Sequence, residues 1–156
     1  MSSAPTPSHT ANISKRFVAS MASLVSIRGM ATLPLPSPPT KKARWIYRAN
    51  IDALTGADAV MANLNDFHGP GEADSGTAFE VGFASALGKP VWGYRTVAAT
   101  LVDHVPSTLG TAGAVCRNGY LVEDFGMSVK LMLSCSSTLV VGEPQECLAV
   151  MRASRA

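Results

Sequence analysis

"ADAVMANLNDFHGPGEADSGTAFEVGFASALGKPVWGY", residues 57–94, carries the reading of the fold. Residues 57–64 form a near-continuous apolar run of strand length, as suits a strand buried on both faces of a parallel sheet. The loop "NDFHGPGEADSG" (65–76) follows, with Gly69, Gly71 and Gly76 among Asp66, Glu72 and Asp74. A small-residue helix comes next, stopping at Gly88 with Pro90 just beyond, and "PVWGY" (90–94) is the next strand. Strand, loop, helix and strand make a βαβ unit, whose crossover is right-handed.

The flanks extend this pattern. Upstream, residues 43–54 read as a helix with Trp45, Ile46, Ala49 and Ile51 mostly on one side, ended by Gly56. "PSPPTKK" (36–42) reads as a turn-rich connector, and "ATLPLP" (31–36) as a short strand. Residues 12–30 have helical apolar spacing, and residues 1–11 read as a disordered polar tail. Downstream, 96–105 suggests a short helix, 120–125 a strand, and 128–141 and 144–155 closing helices. Trp45, Trp92, Phe79 and Phe83 read as core. The expectation is one domain over 12–156, a three-layer α/β/α sandwich on a mostly parallel, flavodoxin- or Rossmann-like sheet.

Composition narrows the function. With 156 residues the chain suits one domain, and no apolar run is long enough to span a bilayer. The net charge is +2, with no acid before Asp52 and seven Lys or Arg there. Those cations are scattered without interleaved aromatics, so nucleic acid is not an expected partner. "ISKRFVASMASLVSIRGM" (13–30) resembles an organellar transit peptide in being amphipathic, Ser-rich and acid-free. It equally fits the first helix of the domain, which is the preferred reading. Three widely spaced cysteines suggest neither a disulfide framework nor a zinc site, and point to the reducing cytoplasm.

In an open α/β sheet, ligands bind beyond the carboxyl ends of the strands, so loop 65–76 is the expected site wall. Its acids and its lack of Lys or Arg argue against a phosphate cradle, and no GxGxxG or GxxxxGK[ST] occurs. Glu80 has two readings on spacing. Thr77-Ala78-Phe79-Glu80 fits a capping box, with Thr77 as N-cap and Glu80 reaching back. Alternatively Glu80 is a catalytic carboxylate in the positive field of the helix start, paired with Asp74 as proton manager.

The stretch "ADAVMANLNDFHGPGEADSGTAFEVGFASALGKPVWGY" resembles the signature region of the nucleoside 2-deoxyribosyltransferase family, ADAV-x-A-[ND]-L-x-x-F-x-G followed by D-x-GTAFE-x-G. "NGYLVEDFGMSVKLML" (118–133) and "STLVVGEPQECLAVM" (137–151) resemble its later segments, so the likeness runs over roughly 43–152. The resemblance implies that Glu80 is the nucleophile, forming a covalent 2-deoxyribosyl-enzyme. It implies that Asp74 assists proton transfer and contacts the substrate, and that Asn50 lies on the base side. Asn63, Phe67, Gly69 and Gly76 fall on pattern positions and are the further substrate-binding candidates. Lys130 and Met132 fall where a neighbouring subunit closes over the sugar 5′-hydroxyl.

The implied activity is base exchange on 2′-deoxyribonucleosides, with deoxyribonucleosides and free nucleobases as partners and no metal or organic cofactor. A homo-oligomer with shared sites is implied as well. The alternatives are a hydrolase of 2′-deoxynucleosides or their 5′-phosphates, and a catalytically impaired binding remnant. Two departures feed those alternatives. Where the family opens on a strand ending in a Tyr-x-Ala-Gly-Pro turn, this chain has "MSSAPTPSHTANIS" (1–14), so the first strand is expected to be missing or replaced, as a truncated or mis-started reading frame would leave it. Lys130 stands where the family commonly has Asn, which suggests either a surface lysine or contact with a 5′-phosphate. His68, where relatives often have Arg, reads as a loop-packing residue.

Overall fold

The computed structural model describes residues 17–19 and 38–154. Its elements are β1 (Phe17–Ala19), α1 (Pro39–Gly56), β2 (Ala59–Asn63), α2 (Ser75–Ala86), β3 (Val91–Arg95), α3 (Leu101–His104), β4 (Ser107–Gly110), β5 (Gly113–Cys116), α4 (Leu131–Ser136), β6 (Thr138–Val141) and α5 (Pro144–Ala153). The main sheet has the order β1-β2-β3-β6, every pair parallel. A separate antiparallel hairpin joins β4 and β5.

Alternation along the strands assigns the two faces. Val60 and Ala62 of β2, with Val91 of β3, pack against Val81 and Ala84 of α2, Leu54 of α1 and Leu133 of α4. Ala59 of β2 and Trp92 of β3 lie on the other face, against Cys147 and Met151 of α5. Both faces are therefore covered, which is why these strands are apolar almost throughout. The expected three-layer α/β arrangement is present.

Several local expectations are corrected. Phe17–Ala19 is a strand, where a helix over 12–30 was expected, and it pairs in parallel with Ala59–Met61. The expectation that the first strand is missing from residues 1–14 lies outside the described residues. The expected strand over 31–36, the tail 1–11 and the rest of the 12–30 helix lie outside the described residues. Helix α1 starts at Pro39, inside the stretch read as a connector, because proline at the first helical position gives up an N–H that has no partner there anyway.

The stretch 128–141 divides into α4 and β6. The hydroxyls of Ser136 and Ser137 bond back to the carbonyls of Met132 and Leu133, which closes the helix before the β-branched run Thr138–Val141. Residues 120–125 are no strand: Leu121 makes an isolated bridge to Val115, and Tyr120 and Leu121 are exposed. The β4–β5 hairpin escaped the sequence reading because its residues show no apolar alternation, and all of β4 is exposed. Phe79, read as core, is 51% exposed. Helix α5 carries a true capping box, Glu143 with Glu146.

Helix α2 ends as its sequence suggests. Gly88, at φ 67°, donates to the Ser85 carbonyl and Lys89 donates to that of Ala84, the paired bonds of a Schellman motif. The Lys89 ammonium then reaches the carbonyls of Thr55 and Ala57, fastening the end of α1. Among the described residues, no helix is long and apolar enough to cross a membrane.

Candidate active site

Asp74, rather than Thr77, is the N-cap of α2: its Oδ2 accepts from the Thr77 N–H at 2.8 Å. Aspartate outcompetes threonine as a cap, and Asp74-Ser75-Gly76-Thr77 puts its carboxylate three residues before an open donor. The capping-box reading of Glu80 is therefore overturned. Glu80 lies in the second turn, and the first turn holds no acid.

Glu80 is buried, 5% exposed, on a helix of small residues. Asn50 of α1 donates from Nδ2 to Glu80 Oε1 at 3.0 Å, a bond between groups 30 residues apart in sequence. The Asn50 Oδ1 atom, on the amide that holds the carboxylate, is buried with no hydrogen-bond partner. The structure thus joins two of the sequence-predicted residues directly, and Asp74 caps the helix that holds one of them.

Asn63 ends β2, and its Oδ1 accepts from the backbone and side chain of Asn65, shaping the chain's exit from the sheet. Phe67 is half-exposed and its ring lies 4.3 Å from that of His68, centroid to centroid. Gly69 turns the loop, its carbonyl accepting from Glu72, whose own carbonyl accepts from Phe67. Gly76 occupies the first turn of α2. Lys130 pairs with Glu72 at 2.7 Å and 2.9 Å, and Met132 on α4 is 78% exposed.

Sequence reasoning missed Arg95 and His104. Arg95 ends β3 and is 1% exposed. Its guanidinium donates to the Ser128 carbonyl and reaches Asp66 Oδ1 at 3.5 Å, while burial pulls its pKa down and Asp66 opposes that pull. His104 Nε2 lies 2.5 Å from Asp66 Oδ2. An arginine directly after an apolar strand was the available signal. A cavity of about 450 Å³ lies nearby, between Glu72, Leu101, Val105, Leu121 and Lys130, and a smaller one of about 210 Å³ adjoins His68 and Arg117. Neither is lined by Asn50, Asp74 or Glu80. Among the described residues, no three His, Cys, Asp or Glu side chains converge as metal ligands would.

The profile of the family described as nucleoside 2-deoxyribosyltransferase matches residues 8–132, most of the chain. The chain belongs to that family. The match starts well before the segment of resemblance, so it takes in the strand Phe17–Ala19, and it stops at Met132. A 2-desoxiribosyltransferase from Leishmania mexicana is similar in structure, at a TM-score of 0.61 and 27% identity over 86% of this chain and 83% of that one. No curated protein matches. Membership makes this chain an enzyme of the nucleoside 2-deoxyribosyltransferase type, and its sheet and α2 follow that fold.

Proposed function

We propose that the protein exchanges the base of 2′-deoxyribonucleosides by retaining double displacement, with Glu80 as nucleophile. The observation that carries this reading is the buried Glu80 carboxylate held by Asn50, in the position of the family's D-x-GTAFE-x-G motif. A carboxylate oxygen of Glu80 attacks C1′, and the N-glycosidic bond breaks with its electron pair going to the base nitrogen. Asp74 supplies or relays the proton that the departing base needs. The result is a deoxyribosyl ester on Glu80. A second base then attacks C1′ through nitrogen, the ester bond breaks, Glu80 regains its charge, and the proton lost by the incoming base returns to Asp74.

The substrate preference follows from the chemistry. Departure of the base builds oxocarbenium character at C1′, which an electron-withdrawing 2′-hydroxyl would destabilise. The unpartnered Asn50 Oδ1 is an acceptor suited to an exocyclic amino group or ring N–H of the base. Asn63, Phe67, Gly69 and Gly76 shape the loop and helix start around the same ligand. Excluding water from the ester makes the enzyme a transferase.

Nucleosides are favoured over 5′-phosphates because the Lys130 ammonium is already neutralised by Glu72. A homo-oligomer is part of the proposal. Tyr120, Leu121, Phe125 and Met132 are all more than half exposed along the segment that would reach a neighbouring site. The free thiols of Cys116, Cys135 and Cys147 fit work in the reducing cytoplasm.

The decisive experiment incubates Glu80→Ala with deoxyinosine and adenine. Exchange is lost while the melting temperature stays near that of the parent; retained exchange overturns the mechanism. Incubating the parent with a deoxynucleoside and no acceptor base separates transfer from hydrolysis, because a transferase releases little free deoxyribose.

A further inference from the structure

Loop 65–76 connects β2 to α2 and carries Asp74, and Asp66 supplies several of the bonds that hold it. Asp66 Oδ1 accepts from the Gly71 N–H at 2.9 Å, closing the loop on itself, and lies 3.5 Å from Arg95 Nη2. Its Oδ2 lies 2.5 Å from His104 Nε2. Arg95 is anchored in turn by the Ser128 carbonyl, two residues before the Lys130 that grips Glu72. Asp66 therefore joins the loop, the end of β3, helix α3 and the 127–130 segment.

Gly71 shows how closely this loop lies on α3. At φ 78° it has the backbone that glycine favours, and a Cβ there would stand 2.8 Å from Val105 Cγ2 and 2.9 Å from Leu101 Cδ2. Helix α3 is a single turn, anchored by the Leu101 N–H to the Met127 carbonyl and capped by Thr100. A change in the bond between Asp66 and His104 is thus passed to Gly71 and Glu72, next to Asp74, with little between them to absorb it.

The charges around His104 are few. Arg95 from β3 meets the other oxygen of Asp66, Asp103 on α3 is held by the Thr100 hydroxyl at 2.6 Å, and His68 in the loop lies against Phe67. Arg95 keeps its charge across the physiological range, whereas an imidazole gains or loses one within it. A protonated His104 makes an ion pair with Asp66; a neutral one keeps at most an uncharged hydrogen bond.

We propose that Asp66 is a positioning residue for the loop that carries Asp74, and that His104 sets the strength of its hold by its protonation. Asp66 is held by two cations while His104 is charged and by Arg95 alone once the proton is lost. The catalytic consequence rests on the deoxyribosyl-transfer reading above; the clamp itself does not.

The test measures two things in the full chain, between about pH 5 and pH 9. The first is the backbone amide resonance of Gly71 by ¹H–¹⁵N NMR. It shifts with pH in the parent and stays flat in His104→Gln. The second is KM and kcat for exchange between deoxyinosine and adenine. KM rises about threefold from the acid to the alkaline end of that range, as a partly exposed ion pair warrants, with kcat little changed. His104→Gln shows the high-pH KM throughout, and Asp66→Asn, which keeps an acceptor for Gly71 but no charge, lacks the step. A Gly71 resonance that does not titrate, or a His104→Gln enzyme with the parental profile, overturns the proposal. If Asp66→Asn does not fold, His104→Gln decides alone, since the His104 side chain is 22% exposed. If the parent exchanges no base, the functional reading fails while the Gly71 titration still judges the clamp.

Discussion

Asn50 Nδ2 stands 3.0 Å from Glu80 Oε1, so a residue of α1 orients the carboxylate of α2. The bond fixes which way a buried acid points on a helix whose other buried residues are Thr77, Val81 and Ala84. Replacing Asn50 by Ala removes that donor and leaves room for the carboxylate to turn. Exchange activity, as kcat/KM, is expected to fall at least about tenfold, the equivalent of one buried hydrogen bond to a charged group. Glu80→Gln, by contrast, removes the nucleophile and is expected to cost about 10⁴-fold or more. Steady-state assays of both variants check the order.

The sheet was legible because its signals were local. Residues 57–64 and 90–94 are apolar runs bounded by glycine and proline, and parallel burial leaves no other use for them. What escaped depended on distant partners. Phe17–Ala19 is a strand through pairing with Ala59–Met61, and a helical spacing of apolar residues cannot report that. The hairpin 107–116 has no buried face, so it leaves no alternating pattern. In the site, Glu80 and Asp74 were found by motif, and Asn50 by its place in the resemblance. Arg95 and His104 were not found, since their meeting at Asp66 spans up to 38 residues.

Asp74 holds two offices that mutation can separate. As N-cap it satisfies the Thr77 N–H, and as a carboxylate it is proposed to handle the proton of the departing base. Asp74→Ser keeps a good cap and deletes the acid. Its melting temperature is expected to stay within about 1 °C of the parent while exchange falls steeply. Asp74→Ala loses both, with about 1 kcal/mol of stability and a drop of about 3 °C. Thermal melts beside rate assays distinguish the two, and equal melts for both variants would refute the capping role.

Alkaline conditions should weaken the fold from the α5 side. Burial raises the pKa of the Cys147 thiol. Tyr94 is raised too, by burial first and then by the charges of Cys147 and Glu143. Both groups hold their protons more tightly folded than unfolded. Their contribution is complete below the unfolded-state values, near pH 8.5 for the thiol and about 10 for the phenol, and is lost as pH rises through the folded ones. The melting temperature is expected to decline from about pH 8.5 upward, and Cys147→Ala to flatten the first part of that decline. A thiol reagent at neutral pH should modify exposed Cys135 well before buried Cys147.

The pair between Lys130 and Glu72 tests the substrate class. Both side chains are about half exposed, so the pair adds little to stability, and breaking it should change the melting temperature by less than about 2 °C. Its chemical effect is larger, because Glu72 neutralises the Lys130 ammonium. Glu72→Gln leaves an amide of the same shape and frees the ammonium. If the 118–133 segment closes over the sugar's 5′ end, the variant should improve kcat/KM for a deoxynucleoside 5′-monophosphate about tenfold relative to the nucleoside, the scale of a charge-assisted bond to phosphate. Lys130→Ala should abolish that gain when added to Glu72→Gln. Competition assays with deoxyinosine and its 5′-monophosphate read the ratio directly, and an unchanged ratio in Glu72→Gln would place Lys130 away from the sugar.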